Sequence, residues 1–433
     1  MAPKSKTKAP ASKPPAAATP PKAGGGEAKK GGDKKSARSP APAPREEPFG
    51  SATPTILLLG GYGMVGSAIA RTVLEQSSTA KLIIAGRDSD KARYFTKSLN
   101  SEFPGASGGE RCQMLMADAG DSSTFSGCPR FDVIVNATTM RAVEGVITLM
   151  RFAASKRAHY IDLRGVIGLE DAIAKAVGEV GPVVLMGGGY CPGAVAPLLK
   201  TAATKLAKCS AAHLSIAATA LPSQAEEAIE AMMSGVRLED WRNGQWQPAK
   251  PSQSTFARKV DFGDGKVRQT TPVGVQEVRG LPTELALDNC SVRFASTQDG
   301  GLMCAAMAVL CCAPCVGLRE GVGKHLRAAM ERQRAKEPNL CALLCEANGA
   351  DKEGKPRRVV LRASHPSGPA AMAAHCCVAQ LAQILTNTIS GGFAPRMCGT
   401  AVDADLLLSA LIKQGVQASI ETTDSAAAPD YDA

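Results

Sequence analysis

Gly61-Tyr62-Gly63-Met64-Val65-Gly66 follows an apolar run, Ile56 to Leu59, and opens an amphipathic helical pattern. An apolar strand, a glycine loop and a helix in that order form the arrangement that seats a dinucleotide pyrophosphate. The first glycine permits the tight turn, the second lets main-chain N–H groups approach the phosphates, and the third lets helix pack close to strand. The helix N-terminus adds N–H groups and the positive end of its dipole. Gly61, Tyr62, Gly63, Met64, Val65 and Gly66 are therefore the first candidate cofactor-binding residues.

The choice of dinucleotide falls about twenty residues on, at the end of the second strand, where an acid binds the ribose of NAD and an Arg accepts the extra phosphate of NADP. There the sequence runs Lys81-Leu82-Ile83-Ile84-Ala85 into Gly86-Arg87-Asp88. Arg87 stands nearest the tip and offers a planar fork of donors. NADP is favoured, and Asp88, following at once, leaves NAD open.

Working outward, short apolar runs at 55–59, 81–85, 113–117, 131–136, 159–163 and 183–186 alternate with helical patterns at 65–75, 143–156 and 169–180. Continuous apolar strands joined by helices imply a parallel sheet covered on both faces. The expected fold is α/β, a doubly wound (Rossmann) sheet with a second α+β domain. Ligands of such sheets sit beyond the carboxyl ends of the strands. That rule adds Asp118, Ala137 and Thr138 to the cofactor-binding set. Tyr160 and Asp162 stand two apart on one strand and share a face. If that face meets the cleft, Tyr160 is a proton donor oriented by Asp162; the competing reading packs Tyr160 in the core and gives Asp162 the following turn. Cys191 and Tyr190, in the turn Gly187 to Gly193, form a second pair of catalytic candidates. His159, His325, His365 and His375 lack a partner pattern and are read as surface or core residues.

After Gly187 the texture changes to a helix at 196–206, a strand at 213–218, a polar helix at 223–234, and later strands at 290–295 and 358–361. Between them, Trp241-Arg242-Asn243-Gly244-Gln245-Trp246 carries the Asn-Gly signal of a tight hairpin. The expected domains are a tail over 1–52, a dinucleotide-binding domain over 53–190, a substrate and dimerisation domain over 191–420, and a frayed acidic end over 421–433. A homodimer is expected.

Composition constrains partners. Net charge is +10, but residues 1–50 carry 11 Lys/Arg against four Asp/Glu, so the remainder is close to neutral and gives no reason to expect nucleic acid. Those fifty residues hold 10 of the 28 prolines and cannot bury enough surface to offset ordering, so they are expected to be disordered. A solubilising extension is the first reading of this tail, before organelle targeting and an arm for acidic partners. A cytoplasmic location is expected, with a plastid-type organelle or membrane association as alternatives. The 14 cysteines, without a secretory signal, imply reduced thiols. Cys312 and Cys315 have C-x-x-C spacing but lie in an apolar run, so no metal site is expected. Residues 302–318 carry no charge and are followed by a basic stretch. A buried helix lining an apolar pocket is the first reading, and peripheral membrane docking the second.

Gly60 to Gly66, Ala85-Gly86-Arg87, His159-Tyr160-Ile161-Asp162-Leu163 and Gly189-Tyr190-Cys191-Pro192-Gly193 together resemble the saccharopine dehydrogenase-like oxidoreductases, a group that includes trans-acting enoyl reductases of lipid synthesis. Residues 241–246 and 276–282 resemble its bacterial and plastid-type branch. The resemblance implies an NADP-dependent oxidoreductase acting on a carbonyl, imine or enoyl substrate. Cys191 stands where saccharopine-forming members carry an Asp, which points away from saccharopine, while the uncharged run 302–318 and the lipid-modifying relatives point toward an apolar, lipid-like substrate. The alternative is a cofactor-binding regulatory or membrane-associated protein without turnover.

Overall fold

The computed structural model describes residues 47–50, 53–105, 108–139, 142–164, 182–219, 238–250, 256–295, 328–332, 334–389 and 396–424, with 175, 253 and 324. Residues 1–46 of the basic tail, most of the helix expected at 169–180, the helix expected at 223–234, the uncharged run 302–318, Cys312, Cys315 and His325 lie outside the described residues.

The first sheet grows from β1 (Thr55–Leu59), whose alternate side chains are buried on opposite faces. Ile56 and Leu58 join one apolar core and Leu57 and Leu59 another. Both faces being dry, the strand reads as an unbroken apolar run. β2 (Lys81–Gly86), β3 (Cys112–Met116), β4 (Val133–Asn136), β5 (His159–Asp162) and β6 (Val184–Met186) follow, with β15 (Arg396–Met397) at the far edge. The order is β15-β6-β5-β4-β1-β2-β3, and every recorded pairing is parallel. This is the expected doubly wound sheet. Its strand order reverses between β1 and β4, so the ends of those two strands open the crevice where ligands of such sheets bind.

Three helices flank the early strands: α1 (Met64–Gln76), α2 (Ser89–Glu102) and α3 (Val143–Ser155). The carbonyls that α1 leaves unpaired at its end find a buried partner. Arg111 donates through Nη1 to the Leu74 carbonyl at 3.2 Å, through Nη2 to that of Ser77, and through Nε to that of Ala80 at 3.2 Å. A guanidinium that is 8% exposed thus closes the C-terminus of α1.

The second sheet is mixed: β10 (Arg258–Asp261), β11 (Val267–Pro272), β12 (Asn289–Ala295), β7 (Lys208–Ala218), β13 (Cys341–Ala350), β14 (Pro356–Ser364) and β16 (Gln417–Asp424) lie in that order. Only β7 and β12 run parallel among these described neighbours. Off this path, β8 (Glu239–Arg242) pairs with β12 and with β9 (Gln245–Pro248). Asn243 and Gly244, at φ 49° and 82°, make the tight turn between β8 and β9. Trp241 and Trp246 face each other across it, ring centroids 5.8 Å apart.

Among the described residues the longer helices that follow are α4 (Val195–Thr204), α5 (Pro369–Leu385) and α6 (Ala404–Lys413). α5 packs against α1, and α4 lies on β7 and β13. One continuous core therefore runs from Ile56 and Leu58 through α1 and α5 to Leu214, Ile216 and Leu343 of the second sheet.

Three features differ from the sequence reading. Phe49, in the tail expected to be disordered, is 1% exposed in the main core, and Glu47 Oε1 accepts from Ser78 N–H at 2.8 Å. Glu421–Asp424, expected to fray, continue β16 and pair in register with β14, where Glu421 and Asp424 meet Arg362 and Arg357. The first sheet also takes β15 from residues 396–397, far beyond residue 190. Among the described residues, no helix is long and apolar enough to cross a membrane.

A β-bulge at Asn348/Gly349 brings the β7 backbone so close that a Cβ on Gly349 would lie 1.9 Å from the Lys208 carbonyl oxygen. Gly349→Ala is expected to destabilise the protein by about 1–3 kcal/mol through this overpacking, read as a lower midpoint in urea unfolding.

Candidate cofactor site and its surroundings

The site begins where β1 ends. Gly60 takes φ +71°, donates its N–H to the Ala85 carbonyl at 2.8 Å, and accepts from Gly63 N–H at 2.9 Å. The loop is thereby folded under α1. The closest approach is at Gly66, where a Cβ would stand 2.2 Å from the Gly60 oxygen and 2.9 Å from the Gly61 Cα. At Gly61 it would stand 3.1 Å from Ile84 and from the Leu58 oxygen. Gly63 is different. It is exposed, and a Cβ there would meet only the Gly60 oxygen, at 3.0 Å, with open space beyond.

That open space lies at the start of α1, which has no side-chain cap and no acid in its first turn. Its positive end is left for a ligand's negative charge. Met64, 55% exposed, and half-buried Val65 flank it. These residues fit a diphosphate: two glycines close the loop and the third leaves room.

Ala137 and Thr138 belong to the same place. Ala137 N–H donates to the Leu59 carbonyl at 3.0 Å, and its own oxygen would lie 2.9 Å from a Cβ on Gly60. Thr138 Oγ1 donates to Asn136 Oδ1 at 2.7 Å. At the end of β2, Arg87 is exposed. Asp88 caps α2, Oδ1 accepting from Lys91 N–H at 3.0 Å and Oδ2 lying 3.1 Å from Lys91 Nζ. These bonds hold its carboxyl below the usual range. Arg87 is thus available to an extra phosphate, whereas Asp88 is committed to its helix. Asp118 sits further along the sheet edge, where Oδ1 accepts from Gly120 N–H at 2.9 Å. The structure therefore gathers Gly61 to Gly66, Ala137 and Thr138 around one crevice, with Arg87 at one end, and sets Asp118 in a turn beyond β3.

Tyr160 and Asp162 do share a face, and they bond to each other. Tyr160 Oη donates to Asp162 Oδ2 at 2.6 Å, and Asn136 Nδ2 donates to the same oxygen at 2.9 Å. Asp162 Oδ1 accepts from Arg164 N–H at 2.9 Å, shaping the turn that follows. Tyr160 has 0% exposure within the second core, and Asp162 2%. Burial, reinforced by the Asp162 charge, pushes the Tyr160 phenol well above its ordinary range, and burial also raises the Asp162 carboxyl. Both strand-end residues are thus core and turn groups in this structure.

Cys191 is half-buried in the turn between β6 and α4, beside buried Tyr190. Burial, with the neighbouring Glu277 charge, raises its thiol well above the usual range, so it is not a thiolate. Glu277 escaped the sequence reading, which noted only the motif around it. Its carboxylate, 1% exposed, accepts from Gly193 N–H and from Ala196 N–H, the latter at 3.3 Å. α4 lacks a side-chain cap of its own, so Glu277, 81 residues away from Ala196, serves as one. Burial raises the Glu277 carboxyl to about 7, against the pull of those backbone donors. Gln380, with 0% exposure, donates to the Gly189 and Gly193 carbonyls at 3.4 and 3.3 Å. The turn is held from two sides. Among the described residues, no cluster of His, Cys, Asp or Glu is arranged to hold a metal.

A parallel doubly wound sheet with a glycine loop at its switch point defines a dinucleotide-binding protein. Residues 56–180 match the saccharopine dehydrogenase NADP binding domain, so the chain carries a saccharopine dehydrogenase-like NADP-binding domain. Apo saccharopine dehydrogenase (L-Glu forming) from Saccharomyces cerevisiae has the same fold: it aligns with 86% of this chain and 100% of its own at 12% identity and a TM-score of 0.60. Myo-inositol dehydrogenase from Corynebacterium glutamicum aligns with 87% of this chain and 100% of its own at 10% identity, with a TM-score of 0.41. No match is found among curated proteins.

The glycines separate binding from folding. Gly63→Val should weaken NADPH at least about tenfold in calorimetry while lowering the unfolding midpoint far less than Gly66→Val, because its Cβ meets only the Gly60 oxygen, at 3.0 Å. Gly66→Val should instead lower the midpoint, since its Cβ meets backbone. Glu277 generates a pH dependence. Its folded value of about 7 exceeds the ordinary 4.5, so the stability linked to its proton is complete below about 4.5 and lost as pH rises through 7. Denaturant titrations should show a loss of about 3 kcal/mol across that window, and Glu277→Gln should flatten it.

Proposed function

We propose that the protein is an NADP-dependent oxidoreductase that moves a hydride to or from a carbonyl, imine or enoyl carbon of a small, apolar substrate. The observation that carries this reading is the open space over Gly63, framed by a loop that is otherwise closed against backbone. The nicotinamide supplies the hydride chemistry when bound. Gly63 and the first turn of α1 hold the diphosphate, and Arg87 takes the 2′-phosphate. Asn136 holds Thr138 at the mouth of the crevice and ties β4 to β5 through Asp162. In this reading Tyr160 and Asp162 are positioning residues that fix the strand ends, and the turn bearing Cys191 lines the substrate side. Saccharopine is disfavoured because Cys191 replaces the Asp of saccharopine-forming enzymes, and an apolar substrate is preferred because residues 302–318 carry no charge. The working unit is proposed to be a homodimer.

One observation favours a second reading, a cofactor-binding protein without turnover. Tyr160 and Cys191 both hold their protons tightly, and Tyr160 has no exposed surface. The two readings part in a screen of NADPH oxidation against ketones, imines and enoyl esters. Turnover with at least one class is expected, and silence across all of them, with NADPH still binding, would favour the second. Arg87→Gln should weaken NADPH at least about tenfold in titration while leaving NADH affinity unchanged, which tests the 2′-phosphate assignment.

A further inference from the structure

The end of β2 holds an interlock. Gly86 occupies the strand-end position from which an acidic side chain reaches the ribose in NAD-binding sheets of this kind. A Cβ on Gly86 would lie 2.4 Å from Tyr62 Cε1, 2.5 Å from its Oη and 2.6 Å from its Cζ. The phenol ring of Tyr62, from the glycine loop itself, fills that space. It does not rest there loosely. Tyr62 Oη accepts the Asp88 N–H at 2.9 Å, and the ring packs against the main core. Moving the ring aside gives up both. The next acid along, Asp88, is turned into the first turn of α2 by Lys91 N–H and Nζ.

We propose that Tyr62 is a cofactor-specificity residue: its ring, seated over Gly86, shuts out the strand-end carboxylate that an NAD site requires and leaves Arg87 as the charged group at the ribose. The inference rests on the NADP reading above and adds a cause for it. Arg87 attracts the 2′-phosphate, while the Tyr62–Gly86 pair denies the alternative. Discrimination between two ligands takes both parts, a favourable contact to one and an obstacle to the other.

The pair is tested by calorimetric titration of NADPH and NADH into the wild type, Gly86→Asp, Tyr62→Ser and the double variant, with unfolding midpoints measured alongside. The wild type should prefer NADPH. Gly86→Asp alone should lose NADPH affinity by at least about tenfold without gaining NADH, since its carboxylate has nowhere to go. The double variant, with the ring removed, should bind NADH at least about tenfold more tightly than either single variant. If Gly86→Asp does not fold, the comparison of Tyr62→Ser with the double variant carries the test, because neither contains the clash. Equal NADH affinity in those two, or full NADH gain in Gly86→Asp alone, would overturn the role of Tyr62. A wild type that takes up neither nucleotide would instead overturn the cofactor reading itself.

Discussion

Everything in the first sheet depends on how near α1 can come to the turn that precedes it. Gly66 lies directly over the Gly60 carbonyl, at a spacing no side chain permits. That approach lets α1 run back alongside β1 to the start of β2, and it buries Ile69, Ala70 and Val73 against the core. It also leaves the helix N-terminus uncapped at the switch point. Packing and ligand chemistry are thus one constraint, because the contact that tightens the fold also aims the dipole.

The sequence made much of this legible, for identifiable reasons. β1, β2 and β4 are buried on both faces, so they appear as apolar runs, and the glycine spacing marks the turn between strand and helix. The hairpin at Asn243-Gly244 announced itself because both positions need positive φ. Other elements gave no such mark. α5 is apolar nearly all round, since it is buried between α1 and α6, and it therefore has no amphipathic period to read. β16 fails oppositely: mostly polar and exposed along nearly its whole length, it carries little alternation to read, and its place depends on backbone pairing with β14. β15, two residues long, is too short for any pattern.

The site was legible in part. Spacing alone placed the glycine loop, Ala137 and Thr138 at strand ends, and the structure gathers them there. The same spacing put Tyr160 and Asp162 on one face but could not say whether water reaches it. Their mutual hydrogen bond, with Asn136 beside them, explains why an acid and a phenol sit in an apolar layer: each satisfies the other. Glu277 was hidden for a related reason. Its partners are main-chain amides more than 80 residues away, and no local pattern encodes a remote cap.

The continuity of the main core has a mechanical meaning. Two-lobed enzymes that close by swinging need a seam of few apolar contacts between their lobes. Here α5 is buried against α1 and α6, with Met372, Cys376, Val378 and Leu381 each 1% exposed or less, and α4 lies on β7 and β13 within the same core. A rigid-body swing of one sheet against the other would part this shared core. The first sheet and the second thus share one apolar interior.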